Sequence, residues 1–152
     1  MPRIAIIGGT GIYDPDSFET IETVFPDTPY GKPSDEIVIG RIAGVEVAFL
    51  MRHGRSHPHP PSGVPYRANM WALKEIGCEY VISACAVGSL QPEYAPGDLV
   101  LPTQFIDHTK KRDYTFFDDR IVHISMPDPF CSYLNDIFVE TAKEMGITHH
   151  LG

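Results

Sequence analysis
Val45-Glu46-Val47-Ala48-Phe49-Leu50-Met51-Arg52-His53-Gly54-Arg55-Ser56-His57-Pro58-His59 decides the fold, because an apolar run of strand length passes directly into a cationic loop. Its last nine residues, Met51 to His59, hold two arginines and three histidines in a chain whose net charge is -8. Cations gathered against the overall charge call for an anion. A buried strand that ends in a polar loop is also where α/β proteins place their ligands. The run Ile37 to Ile42 precedes this strand across Ala43-Gly44, and two β-rich runs joined by a two-residue turn containing glycine predict a hairpin.

Working outward, Ile4-Ala5-Ile6-Ile7 is apolar without alternation, as suits a strand covered on both faces, and it ends in Gly8-Gly9-Thr10-Gly11. Residues 14 to 35 are dense in proline, aspartate and glycine and predict loop with a short strand near Glu22 to Phe25. Pro65 and Gly77 bracket a helix. Tyr80 to Ala84 reads as a further buried strand leading to Cys85-Ala86-Val87-Gly88-Ser89, where small residues let a ligand approach the backbone. Leu99 to Phe105 reads as another strand, Asp107 to Asp128 as a long functional loop, and Ser132 to Met145 as an amphipathic helix capped by Gly146. Ile147 to Gly152 reads as an opening strand without a following partner. The expectation is a single α/β domain over 1–152 that forms the N-terminal portion of a longer one.

At 152 residues and 43% hydrophobic, the chain is sized for a substantial core. No apolar run is long enough to span a bilayer, so a cytoplasmic location without membrane association is the default. An isoelectric point near 5.2 argues against a nucleic-acid surface. Cys78, Cys85 and Cys131 lack close pairs, so buried free thiols are expected rather than disulfides or a zinc site.

Three loops, Gly8 to Gly11, Arg52 to His57 and Cys85 to Ser89, each follow a predicted strand and can meet at one sheet edge as an oxyanion site. Glycine-rich loops present backbone N–H groups to phosphate. Thr10 adds a hydroxyl, Arg52 a planar bidentate fork, and His53 or His57 a pH-dependent donor. As a dinucleotide fingerprint the glycine loop fails, since Asp14 stands where glycine is required. The histidines, among them His59, His123, His149 and His150, lack zinc-ligand spacing, so no metal is expected. Met70, Trp71, Phe116 and Phe117 read as packing residues.

Five motifs in order carry a family resemblance: Ile6 to Gly11, Thr28 to Asp35, Arg52 to Arg55, Tyr66 to Lys74 and Gln104 to Asp107. Together they resemble the 5′-methylthioadenosine phosphorylases of the purine nucleoside phosphorylase family, over essentially all 152 residues. The resemblance implies a three-layer α/β/α fold with a mixed, mostly buried sheet, incomplete at its C-terminus. It implies a pentosyltransferase that cleaves methylthioadenosine with inorganic phosphate as co-substrate and no further cofactor, releasing adenine and 5-methylthioribose 1-phosphate. It also implies a homo-oligomer, a trimer or a dimer of trimers. Thr10, Arg52 and His53 are implied as phosphate ligands with the Cys85-Ala86 backbone, and His57 lies near the sugar. His123 is implied to reach the methylthio end in a neighbouring subunit, making Asp107 to Phe130 an interface segment. No catalytic residue is identified within the chain, because the acid that protonates the leaving purine is expected beyond Gly152. Turnover by the 152 residues alone is therefore expected to be negligible. Methylthioinosine or general purine nucleoside phosphorylases are alternatives within the family. The rival from another class is a histidine phosphatase with His53 as nucleophile, against which the glycine loop and the roughly forty residues between it and the Arg-His-Gly motif argue. Arg55 and His59 have no implied role.

Overall fold
The computed structural model describes residues 1–9, 12 and 18–152, so Thr10 and Gly11 of the glycine loop, and the breakers Asp14 to Asp16, lie outside the described residues. The chain divides into two compact units, residues 1–86 with 110–116 and residues 87–109 with 117–152.

The first unit is built on five strands, β1 (Ile4–Gly8), β2 (Glu19–Val24), β3 (Ile37–Ile42), β4 (Val45–Met51) and β5 (Tyr80–Ser83), with one helix, α1 (Tyr66–Glu75). Their spatial order is β2-β3-β4-β1-β5. β1 runs parallel to both β4 and β5, while β3 is antiparallel to β2 and β4, so the sheet is mixed. The expected hairpin forms: Ile42 pairs with Val45, and Ala43 and Gly44 both take positive φ (50° and 80°), the turn whose twist matches the flanking strands. β2 begins three residues earlier than the sequence reading placed it.

The lack of alternation in β1 and β4 has the expected cause, burial on both faces. On one face Ala5, Ile7, Ile37, Ile39, Ala48 and Leu50 pack with Ala72 and Leu73 of α1. On the other, Val38, Val47 and Phe49 pack with Phe18. Each side chain points opposite to its neighbour along the strand, so a continuous apolar run serves two cores. Pro65 stands at the helix boundary rather than inside the first turn, and Gly77 follows the end of α1 at φ +91°.

In the second unit β6 (Leu99–Leu101) and β7 (His149–Leu151) pair in parallel, joined through α2 (Ser132–Glu144). The expected strand to Phe105 stops at Leu101, because Pro102 has no N–H with which to continue the ladder. Gly146, at φ +67°, follows the end of α2 as anticipated. All three cysteines are free, but only Cys78 is partly buried, and that burial pushes its thiol pKa up. Cys85 and Cys131 are exposed, which corrects the expectation of three buried thiols: Cys85 lies in the loop after β5, and Cys131 stands at the boundary before α2.

Candidate functional site
The three parallel strands of the first unit all end at the same sheet edge. Gly8 pairs with Met51, and Ile7 pairs with Ser83. The loops that follow are thereby brought side by side: the Arg52 N–H donates to the Gly8 carbonyl (2.9 Å), and the Ala84 N–H to that of Ile7 (3.2 Å). Gly8 is required by close approach, since a Cβ there would lie 2.9 Å from the Phe49 ring and 3.1 Å from the Ile12 Cβ. A Cβ on Gly9 would meet the Arg52 guanidinium at 3.9 Å, so the glycine loop and the arginine are neighbours.

Arg52 is the centre of the site. Its Nη1 donates to the Cys85 Sγ (2.6 Å) and its Nε to the His53 Nε2 (3.2 Å). Among the described residues neither side-chain partner is a carboxylate, so the charge has no counter-ion there. Half-buried and adjacent to glycine backbone, it is disposed to take an oxyanion through its planar fork. The other loop arginine is occupied: the Arg55 guanidinium lies 3.4 Å from Glu36 and 3.9 Å from Asp35. Its role is therefore to anchor the loop.

His53 has a defined tautomer. Its Nδ1 lies 2.9 Å from the His59 carbonyl, which only accepts, so Nδ1 carries the proton and Nε2 receives the Arg52 donor. His59 thus acts through its backbone. The His57 ring stacks on His53 with centroids 5.5 Å apart and planes at 6°, and its φ of +54° is uncommon for a residue other than glycine. Such local strain is characteristic of binding loops.

Of the residues singled out in the sequence, Arg52, His53, His57, Cys85 and Ala86 lie together in the first unit, and Thr10 lies outside the described residues. His123 belongs to the second unit, exposed in its irregular segment. Among the described residues no three His, Cys, Asp or Glu side chains gather as a metal site.

Sequence reading missed the residues that hold the loop. Ser34 donates through Oγ to the Met51 carbonyl (2.8 Å), buried Asn69 accepts the Ser34 N–H through Oδ1 (2.7 Å), and Asp35 accepts the Arg55 N–H (2.5 Å). The signal was present, since Ser34-Asp35 and Asn69 lie in two of the five motifs. Their chemistry was invisible because the partners are 17 to 35 residues apart. Phe116 is 40% exposed and set edge-on to Tyr30 at 5.5 Å. Close by, Arg67, Arg112, Lys111 and Tyr66 line a cleft of about 270 Å³. There Arg67 pairs with Asp113 (2.7 Å), and Arg112 lies over the Tyr66 ring at 4.5 Å.

A mixed sheet whose parallel strands converge on an arginine with no carboxylate partner among the described residues, beside glycine backbone, is an α/β protein with a candidate oxyanion site. The chain belongs to the phosphorylase superfamily, which it matches over residues 3–152. It is 60% identical over 151 residues to the S-methyl-5′-thioadenosine phosphorylase of Thermococcus kodakarensis, covering 99% of this chain and 58% of that protein. It is 55% identical over 148 residues to the Saccharolobus solfataricus protein of the same name, covering 97% of this chain and 55% of the relative. The chain thus spans little more than half the length of these relatives. Among solved structures, a methylthioadenosine phosphorylase sourced from an antarctic soil metagenomic library superposes with a TM-score of 0.92 at 47% identity, covering 99% of this chain and 54% of that one. The Schistosoma mansoni methylthioadenosine phosphorylase in complex with tubercidin gives 0.88 at 40% identity, covering 97% and 55%. The fold is therefore the phosphorylase fold.

Proposed function
We propose that the chain is the phosphate-side portion of a single phosphorylase domain that cleaves 5′-methylthioadenosine with inorganic phosphate. A phosphate oxygen forms the new bond to C1′ of the ribose while the bond from C1′ to purine N9 breaks, and its electron pair leaves with the base. A proton delivered to the purine completes adenine, with 5-methylthioribose 1-phosphate as the other product. Phosphate is a weak nucleophile, so positioning and electrostatics carry the reaction and no covalent protein intermediate is required. Arg52 holds the phosphate with Thr10, His53 and the Cys85-Ala86 backbone, and His57 borders the sugar. The purine-protonating acid is supplied from outside these 152 residues.

The observation that carries this reading is Arg52, without a carboxylate partner among the described residues, at the shared end of β1, β4 and β5. Likeness to relatives named for methylthioadenosine supports the substrate, and membership of the phosphorylase superfamily favours phosphorolysis over a His53 phosphoenzyme. In the full-length protein, methylthioadenosine should release adenine only when phosphate is present. Arg52→Ala should lower kcat/KM by about 100-fold or more, the scale of losing one donor to the transition state. Adenine release without phosphate, or a trapped phosphoenzyme lost in His53→Ala, would overturn the proposal. Preferential turnover of methylthioinosine or inosine would move it to one of the other purine nucleoside phosphorylases.

The enzyme is further proposed to be a cytoplasmic homotrimer, or a dimer of trimers, in which His123 reaches a neighbouring subunit's nucleoside. Among the described residues no helix is long and apolar enough to cross a membrane. Exposed Ile121, Ile124 and Met126 beside His123 support an interface role for residues 107–130. A monomer on sedimentation of the full-length protein would remove that part.

A further inference from the structure
The segment 34–36 grips the cationic loop at both of its ends. At the near end, the Met51 carbonyl receives two donors, the Ser34 Oγ (2.8 Å) and the Gly54 N–H (3.1 Å). A carbonyl oxygen has two lone pairs, so these donors fix the peptide plane from which Arg52 projects. Ser34 is in turn set by Asn69, whose Oδ1 accepts the Ser34 N–H at 2.7 Å. Asn69 sits in α1 and is only 1% exposed. At the far end, Asp35 accepts the Arg55 N–H (2.5 Å), while Arg55 reaches Glu36. Between the two, Gly54 has φ +76°, and a Cβ there would lie 3.0 Å from the Ser34 carbonyl oxygen and 2.9 Å from Pro58. Loop and segment therefore touch without slack.

We infer that Ser34 and Asn69 are positioning residues that set the anion affinity of the 52–57 loop, relaying the rigidity of α1 to the Arg52 fork. A bidentate donor gains its advantage from preorganised geometry. When the peptide plane at Met51 is freed, the guanidinium wanders and holds phosphate less well in ground state and transition state alike. Uniform loss of that kind raises KM and leaves kcat unchanged. The inference rests on the phosphorolysis reading for its substrate.

The test uses the full-length protein with phosphate and methylthioadenosine varied separately, and phosphate binding followed by calorimetry. Ser34→Ala should raise the KM and Kd for phosphate about 10-fold, with kcat and the nucleoside KM within about 2-fold. Ser34→Thr keeps the hydroxyl and should return phosphate affinity to within about 2-fold of wild type. Ile39→Val weakens the same core without touching the loop and should leave the phosphate KM unchanged. An unchanged phosphate KM in Ser34→Ala, or an equal rise in Ile39→Val, overturns the positioning role while leaving phosphorolysis intact. If Arg52→Ala binds phosphate as wild type does, the phosphorolysis reading itself fails and takes this inference with it.

Discussion

The two units use similar apolar content in opposite ways. In the first, Ala5, Ile37, Ala48 and Leu50 are wholly enclosed, and the sheet carries a packed cluster on each face. In the second, Leu101 and Ala142 are the buried hydrophobic residues among those described, while Leu90 (97%), Ile121 (87%), Ile106 (84%) and Ile124 (73%) stand in solvent. A closed core follows from strands covered on both sides. A short parallel pair and a helix that buries a single alanine cannot close one. The first unit thus carries the candidate site on a closed core, while the second leaves most of its large apolar side chains exposed.

The sharpest way to break this contrast is to truncate matched aliphatic residues in both units. Leu50→Ala should destabilise by about 2–5 kcal/mol, the sum of lost burial and a cavity in a packed core. Ile124→Ala should change the stability of the dissociated subunit by less than about 0.5 kcal/mol, as for an exposed site in no network. Denaturant titration of the two variants measures both. A comparable loss in Ile124→Ala would show that the second unit has a core of its own.

A smaller effect tests how tightly the first unit packs at the site itself. In Gly8→Ala the new methyl group meets the Phe49 ring at 2.9 Å and the Ile12 Cβ at 3.1 Å. Phe49 is fixed in the second cluster, so β1 must shift. Overpacking of this kind costs about 1–3 kcal/mol. Because the Gly8 carbonyl also accepts the Arg52 N–H, phosphate affinity should fall together with stability. A variant as stable as wild type with normal phosphate binding would show that the sheet edge yields more readily than the contacts imply.

The same contrast explains what was legible in the sequence. The central strands, the Ala43-Gly44 hairpin and both helices were readable because each is set by local pattern: apolar runs, a turn pair, a proline and two glycines. The meeting of Arg52 with Cys85 was readable as a possibility, since both follow parallel strands. Ser34, Asp35 and Asn69 were not readable as a support, because a hydrogen bond between distant residues leaves no periodic trace. The over-long strand at Leu99 was misread for the opposite reason. Phe105 lies beyond Pro102, whose missing N–H ends the ladder at Leu101 whatever the hydropathy that follows. In the second unit, an amphipathic helix was visible at α2, but the sequence said nothing about what covers its apolar face.

The smallest effect probes what does hold the second unit together. Asp98 accepts the His150 ring N–H (2.8 Å) and the Ala95 N–H (3.0 Å), while Tyr94 stacks on His150 with centroids 4.2 Å apart. Asp98 precedes β6 and His150 lies within β7, so the contact ties the two strands, as does the Leu99 N–H donated to Thr148. These donors, His150 first and the Ala95 backbone next, hold the Asp98 carboxyl below the usual carboxylate range. A depressed carboxyl contributes stability that is fully present above its unfolded pKa, about 4, and is lost as pH falls through its lower folded value. Protection of the β6 and β7 amides against hydrogen exchange, corrected for intrinsic rates, should therefore hold from pH 7 to 5 and decline below pH 4. Asp98→Asn keeps an acceptor but removes the titrating charge, so its protection should be lower at pH 6 and flatter with pH. If wild type and variant fell in parallel, the strand pair would owe its hold to backbone pairing alone, and the second unit would depend less on polar contacts than its exposed apolar surface implies.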